Sequence, residues 1–148
     1  MEIFGYNSRL DTIQAAVANY KMKFKLDNIT KKRIENSKLL DKLLAKNENV
    51  ILVKREKYLK EVFHLYHINV NKRDSLQKFL IKNDIDAKVH YPIPIHLQKA
   101  AKFLKYKKGD FPVSEKLAKT SLSLPVHEFI NKKHVAHVVN TINKFYKL

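Results

Sequence analysis

Apolar residues near the start of the chain recur at alternating steps of three and four positions, the spacing that places side chains on one face of an α-helix. They are Leu10, Ile13, Val17, Tyr20 and Phe24. No glycine or proline interrupts residues 8–44, so the pattern predicts one helix of about 55 Å, at roughly 1.5 Å per residue. A helix of that length exceeds what one small domain covers, and we expect it to bridge two bodies or to pack against a partner.

Polar residues at the start of this helix are candidates for capping it. Asn7 or Ser8 can accept a hydrogen bond from the free amides of the first turn, and Asp11 lies favourably near the positive end of the helix dipole. An asparagine and a serine beside free helix amides would also suit a bound anion. An ordinary cap and an anion site therefore both remain open.

The chain beyond residue 47 alternates short strand and helix patterns. Runs of β-branched and aromatic residues predict strands over residues 50–53, 62–70 and 85–90. Helical spacing and end signals predict helices over residues 73–83 (capped by residues 73–75), 97–104 and 112–120, an extended stretch over 122–125, and a last helix that begins after Asn131 and carries apolar residues to Tyr146. The predicted fold class is α+β: a long N-terminal helix and a small sheet that helices cover on one side. We divide the chain into the long helix with the loop at its start, residues 1–46, and a small α+β domain, residues 47–148.

Net charge is the most unusual feature of the composition. The 148 residues include 30 Lys and Arg against 14 Asp and Glu, a formal net charge of +16. A basic small domain raises the possibility of nucleic-acid binding, but arginine, which reading of bases favours, occurs at only four positions, and the lysines are spread along the whole chain. The alternatives are a lysine-rich solvated surface and an anionic partner, such as a phosphorylated small molecule or an acidic neighbouring subunit.

Other residue types limit the chemistry further. Cysteine is absent, so disulfides and thiolate metal sites are excluded. His64 and His67 fall on opposite faces of the predicted strand, while His134 and His137 share a helix face but have no carboxylate at helical spacing beside them. We therefore expect no metal. No apolar run approaches the roughly 20 residues of a membrane span, the start of the chain lacks signal-peptide features, and we expect a cytoplasmic location.

One loop combines polar aromatic side chains with a stiff backbone. Two prolines within residues 90–96 exclude a regular helix or a central strand. His90, Tyr91 and His96 in this loop suit the wall of a polar ligand pocket. The alternative is a proline-rich connector whose rings only pack.

These motifs together resemble the C-terminal part of the DegT/DnrJ/StrS sugar aminotransferases, pyridoxal-phosphate (PLP) enzymes that aminate keto sugars on nucleotide carriers. The resemblance covers nearly all of the chain, and the motifs stand in the family's order and at its spacings. They are GYNSRLD at residues 5–11, QAA at 14–16, RD at 73–74 with Leu76, HYPIPIHLQ at 90–98, GDFPV at 109–113 with Glu115 and Lys116, and LSLP at 122–125. The resemblance implies the small C-terminal domain of an aspartate-aminotransferase-like fold, preceded by the long helix that leaves the large PLP domain.

The resemblance also implies roles for single residues. Asn7 would donate its amide to the PLP phosphate bound in the neighbouring subunit of a homodimer. Arg9 would order the same loop or meet anionic groups of the substrate. His90, Tyr91 and His96 would line the sugar-nucleotide pocket, with Gln98 as a further candidate.

This sequence departs from the family pattern in its catalytic equipment. The lysine that forms the Schiff base with PLP, the acid beside the pyridine nitrogen and the stacking aromatic ring all lie upstream of the matching motifs in the family. We therefore expect no catalytic residue here, and no transamination by this chain alone. Smaller departures are Asn83 and Asp84, where a glycine would be usual before Ile85, and residues 126–128.

The resulting hypothesis is part of an aminotransferase. The whole enzyme would transfer an amino group, commonly from glutamate, to a nucleotide-linked keto sugar for polysaccharide or O-antigen biosynthesis. The alternative is a non-catalytic basic binding module for nucleic acid or a protein partner, with nucleic acid the less favoured of the two. An apolar helix face without a partner would support that alternative.

Overall fold

The computed structural model describes residues 10–147 as five helices, three strands and two short 3-10 turns. The helices are α1 (Thr12–Phe24), α2 (Leu26–Leu44), α3 (Arg73–Lys82), α4 (Pro112–Thr120) and α5 (Lys132–Tyr146). The strands are β1 (Val50–Leu52), β2 (Tyr66–Val70) and β3 (Ser121–Leu124), and the 3-10 turns span Ile95–Leu97 and Lys99–Leu104. The α+β class is confirmed. Within residues 10–147, none of the helices combines the length and the apolar character that crossing a bilayer requires.

The predicted single N-terminal helix is not confirmed, because α1 and α2 meet at a break at Lys25. Lys25 has φ −128° and ψ −22°, outside helical geometry. The break lies just before residues 27–30, where the apolar stripe is interrupted. No residue of α1 is buried, and the buried residues of α2 begin at Asn36. The region around Lys25 therefore has no buried residue that would hold α1 and α2 on one straight axis.

The described cap of α1 is a residue that the sequence had placed near the helix dipole. Asp11 is the N-cap, and its carboxylate accepts the N–H of Gln14 at 3.0 Å. Asn7 and Ser8, the residues predicted to cap this helix, lie outside the described part of the chain. Later helix ends follow the sequence more closely. Pro112 occupies the first turn of α4, and Asn131 caps α5 by accepting the N–H groups of Lys133 and His134.

The three strands form one antiparallel sheet in the order β1-β2-β3. β2 is shorter than the predicted segment because Phe63 has a φ of 53°, in the left-handed region that an extended strand cannot include. The third strand of the sheet is β3, Ser121–Leu124, and its Leu122 pairs with Ile68 of β2. The predicted strand over residues 85–90 is wrong.

Residues 85–90 nevertheless run beside β3 and touch it at one point. Lys88 and Ser123 exchange both backbone hydrogen bonds, at 2.8 and 3.0 Å, as an isolated bridge. The N–H of Ala87 bonds instead to the carbonyl of Ile85 at 2.9 Å, a tight turn that takes it out of any ladder. Ile85 and Ala87 are buried and Asp86 and Lys88 exposed, so the segment keeps the alternation that suggested a strand.

The turn before this segment contains Asn83 and Asp84, where a glycine would be usual. Asp84 follows α3 with a φ of 59°, a conformation that glycine adopts at low cost. Its N–H bonds to the carbonyl of Ile81 at 3.1 Å, and the N–H of Ile85 bonds to the carbonyl of Leu80 at 3.0 Å. This pair of bonds is the Schellman ending of a helix. The first turn of α3 has no side-chain cap, since Lys72 is its N-cap; the predicted capping by residues 73–75 is wrong.

The core lies on one face of the sheet. Tyr66, Ile68 and Val70 alternate with half-buried residues along β2, so they point to the same side. Helices α2, α3 and α5 supply eight further core residues, namely Leu40, Leu44, Leu76, Leu80, Val135, Val138, Val139 and Ile142. The boundary at residue 46 stays a prediction; α2, on its N-terminal side, contributes Leu40 and Leu44 to this core.

Candidate substrate cleft

The opposite face of the sheet forms the floor of a cleft of about 650 Å³. His67 and Asn69 of β2 and Ser121 of β3 line it, because the alternation along each strand turns them away from the core. Ser114, Leu117 and Ala118 of α4 also line it. The remaining wall comes from Val53 and from the segment between β2 and α4: His90, Tyr91, Ile93, Pro94, Ile95, His96, Gln98, Leu104, Tyr106 and Phe111.

The cleft brings together the three residues that the sequence singled out in the proline-containing loop. His90, Tyr91 and His96 all line it, as does Gln98, whose side-chain amide donates to the carbonyl of Ile93 at 3.3 Å. Tyr91 is 74% exposed, so its ring belongs to the cleft wall and not to the core. Asn7 and Arg9, the other two predicted site residues, lie outside the described part of the chain.

His96 is fixed by a carboxylate from α4. Its Nε2 lies 3.1 Å from Oε1 of Glu115, and the two side chains are only 8% and 10% exposed. Oε1 of Glu115 also accepts the N–H of Gly109 at 2.7 Å. The hydrogen bonds from Gly109 and then from His96 hold the pKa of Glu115 below its usual range. The carboxylate therefore holds the His96 ring in place from below the cleft surface.

A second cluster joins the floor of the cleft to its wall. Oγ of Ser123 lies 3.0 Å from Nδ1 of His67 and 2.9 Å from Nδ1 of His90. His67 and Ser123 are directly opposite each other in the β2–β3 ladder, which explains their contact. Burial, followed by the nearby His90, lowers the pKa of His67. The sequence did not reveal this cluster, because finding it required the register of a strand pair that the pattern had not assigned.

The other wall of the cleft is aromatic and apolar. The centroid of the Phe111 ring lies 4.8 Å from that of the His96 ring and 4.9 Å from that of the Tyr106 ring. The contact with Tyr106 is edge to face. Such rings offer apolar faces to a sugar or a base. Among the described residues that line the cleft, none is a lysine or an arginine. The basic charge of the chain is therefore not concentrated on the described walls of this cleft.

A smaller cleft of about 220 Å³ borders the other side of the His90–Ser123 contact and is lined in part by Arg33, Asp86 and Lys88. These charges are already engaged. Arg33 donates to the carbonyls of Phe63 and His64 at 3.0 and 3.2 Å, and Lys88 pairs with Asp86 at 3.0 Å. Within residues 10–147 there is no group of three or more His, Asp or Glu side chains placed to hold a metal ion.

Comparison with known proteins places this arrangement in context. Residues 1–143 match the model of the DegT/DnrJ/EryC1/StrS aminotransferase family. Two similar curated proteins are a pleiotropic regulatory protein of Geobacillus stearothermophilus, 40% identical over 98% of this chain, and the dTDP-3-amino-3,6-dideoxy-alpha-D-galactopyranose transaminase of Aneurinibacillus thermoaerophilus, 31% identical over 95%. The chain spans only 39% and 38% of the lengths of these two proteins.

Among solved structures, the crystal structure of S. venezuelae DesV in complex with a ketimine intermediate superposes on this chain with a TM-score of 0.88. The identity is 28%, and the match covers 99% of this chain but 39% of DesV. The match to the family model and the superposition on DesV thus agree, and each extends over nearly all of this chain.

Proposed function

Since the chain belongs to the DegT/DnrJ/EryC1/StrS aminotransferase family, we propose that it is the C-terminal, substrate-side portion of a PLP-dependent sugar aminotransferase. The complete enzyme transfers an amino group, commonly from glutamate, to a nucleotide-linked keto sugar used in polysaccharide or O-antigen biosynthesis. The similarity to a transaminase whose name specifies a dTDP-linked amino sugar supports this substrate class.

The observation that carries the proposal is the convergence of His90, Tyr91 and His96 on one cleft of about 650 Å³. That volume suits a small-molecule ligand. Imidazole and phenol groups can exchange hydrogen bonds with sugar hydroxyls, and Tyr106 and Phe111 provide apolar faces for the rings of the ligand. In this proposal Tyr91 and His96 bind the sugar nucleotide, and Glu115 keeps His96 in its binding orientation.

The described cleft residues do not fit PLP as a covalently held group. PLP supplies an electron sink for the substrate carbon and is carried by a lysine amine, and none of the described lining residues is a lysine. We therefore assign no catalytic residue to this chain and propose that the lysine belongs to a portion of the enzyme outside it. Asn7 is proposed to donate to the PLP phosphate of a neighbouring subunit in a homodimer, and Arg9 to order that loop or meet substrate anions.

The alternative function, a basic module for nucleic acid or a protein partner, gains no support from the cleft. Binding to a phosphate backbone depends on lysine and arginine, and the described cleft walls lack both. The apolar face of α1 would serve a protein partner, but it fits equally well against the remainder of an aminotransferase.

The proposal is tested by titrating this chain with dTDP-glucose and, separately, with UDP-N-acetylglucosamine. Calorimetry measures the affinity, and amide chemical shifts identify the residues that are affected. At least one should perturb residues of the cleft wall. Tyr91→Ala should weaken that binding about three- to tenfold, the effect of losing one aromatic contact. Tyr58→Ala is the matched control, since Tyr58 is 82% exposed and is not among the cleft-lining residues. Absence of binding by both nucleotides, or equal effects of the two variants, would refute the proposal.

A second experiment addresses the absent catalytic lysine. This chain, mixed with PLP, glutamate and a nucleotide-linked keto sugar, should produce no amino sugar. Amino transfer should appear only when a second polypeptide supplies the lysine. Amino transfer by the chain alone would show that the assignment of no catalytic residue is wrong.

A further inference from the structure

Ser123 lies between two imidazoles that line the large cleft. Its Oγ is 3.0 Å from Nδ1 of His67 and 2.9 Å from Nδ1 of His90, and the residue is 3% exposed. Nε2 of each ring has no hydrogen-bond partner among the described residues. The only buried side-chain nitrogen or oxygen in residues 10–147 that lacks a hydrogen bond is Oγ of Ser37, so both Nε2 atoms are open to solvent.

The hydroxyl of Ser123 limits how many protons the two rings can hold. A serine hydroxyl has one hydrogen and two lone pairs, so the neutral pair is satisfied when one Nδ1, on either ring, carries a proton. One further proton, taken from solvent, preserves both hydrogen bonds: the charged ring donates Nδ1–H to Ser123, and Ser123 donates to the other ring. A second added proton would leave the buried hydroxyl hydrogen without an acceptor.

The first added proton also changes what the pair offers to the cleft. One Nε2 of the neutral pair carries a hydrogen and the other is an acceptor, whereas both carry hydrogens in the singly charged pair. The ring centroids are 6.4 Å apart, a separation that two charge-assisted hydrogen bonds of about 2.8 Å to oxygens of one phosphate or carboxylate can span.

We propose that His67, His90 and Ser123 form an anion site, at which the cleft binds an oxyanion, phosphate or carboxylate, and takes up one proton as it does so. The diphosphate of a sugar nucleotide and the carboxylate of an amino-acid donor share this chemistry. Their choice as ligands rests on the function proposed above, whereas the site itself rests on the hydrogen bonds and charges of this chain.

The pair is where the described cleft wall can become positive. None of the described lining residues is a lysine or an arginine. Nε2 of His96 lies 3.1 Å from Oε1 of Glu115, so a proton on His96 is neutralised by that carboxylate. An oxyanion in the cleft is therefore compensated when the His67–His90 pair is charged. Proton and anion must then raise each other's affinity by the same factor.

Charged groups around the pair balance one another. Burial and then His90 oppose the protonation of His67, and Glu61 favours it. The small cleft beside His90 is lined by charged and titratable residues that are paired or exposed: Arg33 with Glu128, Lys88 with Asp86, and the exposed His64 and His127. These ion pairs add no net charge, so the ligand decides whether the pair is protonated.

Titration of the free chain tests the limit of one proton. NMR follows the imidazole Cε1–H signals from pH 8 to pH 4.5, with assignment by single His→Asn variants. His67 and His90 should take up their two protons in steps separated by at least about one pH unit, and Ser123→Ala should bring the steps closer together. Uptake of both protons in one step, or an unchanged separation in Ser123→Ala, would overturn the proposal.

Sulfate is the probe of the anion site, because its charge is constant in this range and it contains no sugar. Calorimetry in two cationic buffers of different ionisation enthalpy, at constant ionic strength, counts the protons taken up. We expect about 0.5 to 1 proton per sulfate at pH 7, and binding about three- to tenfold tighter at pH 6 than at pH 7.5. Absence of sulfate binding, or binding without proton uptake, would overturn the proposal.

The same measurement with dTDP-glucose and with glutamate distinguishes the two sources of the oxyanion. The ligand that occupies the site takes up a proton as it binds. Proton-linked binding of sulfate without binding of either ligand would refute the proposed function and leave the anion site intact. Binding of both ligands without proton uptake would refute the ligand assignment instead.

Two double variants separate the site from the general basic charge of the chain. His67→Asn with His90→Asn keeps amides that can bond to Ser123 but removes both titrating rings, so sulfate binding should lose its pH dependence. His64→Asn with His127→Asn removes two exposed histidines that are not among the lining residues of the large cleft, and should preserve it. Equal pH dependence in the two double variants would contradict the proposal. Should the first not fold, the titration of the wild type still decides.

Discussion

The carboxylate of Glu115 holds both His96 and Gly109: its Oε1 lies 3.1 Å from Nε2 of His96 and accepts the N–H of Gly109 at 2.7 Å. One side chain of α4 thereby fixes the 3-10 turn that carries His96 and the turn that precedes α4. The cleft wall depends on these two contacts, since the residues around His96 expose several large apolar side chains, among them Ile93, Ile95 and Phe103.

The first prediction concerns this carboxylate. Glu115→Ala removes both contacts and should destabilise the fold more than Glu115→Gln, whose amide oxygen can still accept from Gly109. The pKa of Glu115 is lowered in the folded state, so its stabilisation is present above the unfolded pKa of 4.5 and is lost as pH falls through the folded value. Urea unfolding at pH 7 and at pH 3 measures this. A loss of stability on acidification that is as large in Glu115→Gln as in the wild type would contradict the prediction.

The second prediction concerns the buried Tyr66. Its hydroxyl donates to Asp41 at 2.7 Å, and Asp41 also accepts from Arg55. Tyr66→Phe should lower the free energy of unfolding by about 1.5 kcal/mol, the contribution of a hydrogen bond to a charged group. Tyr58→Phe, at an exposed position, should have no effect. Chemical denaturation at pH 7 compares the two.

Alkaline pH extends the test of Tyr66. Burial, together with the hydrogen bond to Asp41, raises the pKa of Tyr66 far above its ordinary value of 10.0. The stabilisation is therefore complete below pH 10 and is lost as pH rises towards the folded pKa. The advantage of the wild type over Tyr66→Phe should shrink above pH 10. A constant difference in the free energy of unfolding between the wild type and Tyr66→Phe from pH 8 to pH 11 would contradict this prediction, because it would mean that Tyr66 titrates alike in the folded and unfolded states.

The third prediction concerns acid stability through His67. Its pKa is lowered by burial and by His90, so below 6.5 the unfolded chain binds a proton that the folded chain resists. Stability from this group is present above pH 6.5 and is lost as pH falls towards the folded pKa. His67→Gln should flatten the decline in urea midpoint between pH 7.5 and pH 5.5. Parallel profiles for the variant and the wild type would contradict it.

The fourth prediction concerns the turn after α3. Asp84 adopts a φ of 59°, which costs a residue with a Cβ about 1–2 kcal/mol and glycine almost nothing. Asp84→Gly should therefore raise the free energy of unfolding by about 1 kcal/mol after allowing for the greater freedom of glycine in the unfolded chain. Asp86→Gly, two residues later in the extended segment, should lower it. Thermal unfolding of both variants decides, and a less stable Asp84→Gly would be the contrary result.

Local signals in the sequence located most of the helices. Pro112 and Asn131 act through their own backbone and side chains, so they mark helix starts without knowledge of tertiary contacts. The irregular backbone of the proline-containing loop was predictable for the same reason, because Pro92 and Pro94 restrict their own backbone. Whether its rings line a pocket or only pack stayed open in the sequence.

Features that depend on contacts between distant segments were not predictable in this way. The alternation over residues 85–90 is real, but whether an alternating segment joins a ladder depends on its neighbours, and Ala87 gives its N–H to Ile85. The contact of Ser123 with His67 required the register of β2 against β3. Glu115 belonged to a motif that carried the resemblance, but the sequence did not indicate its role, because that role comes from its contacts with Gly109 and His96.

The apolar face of helix α1 is exposed to solvent. Ile13, Val17 and Phe24 are each more than half exposed, and no residue of the helix is buried. A helix of this length is marginal without tertiary packing. Trypsin should therefore cut first at Lys21, Lys23 or Lys25, and the product beginning near residue 26 should melt at the temperature of the intact chain. The trimmed product should also precipitate less readily, because the cut removes exposed apolar side chains and no buried residue.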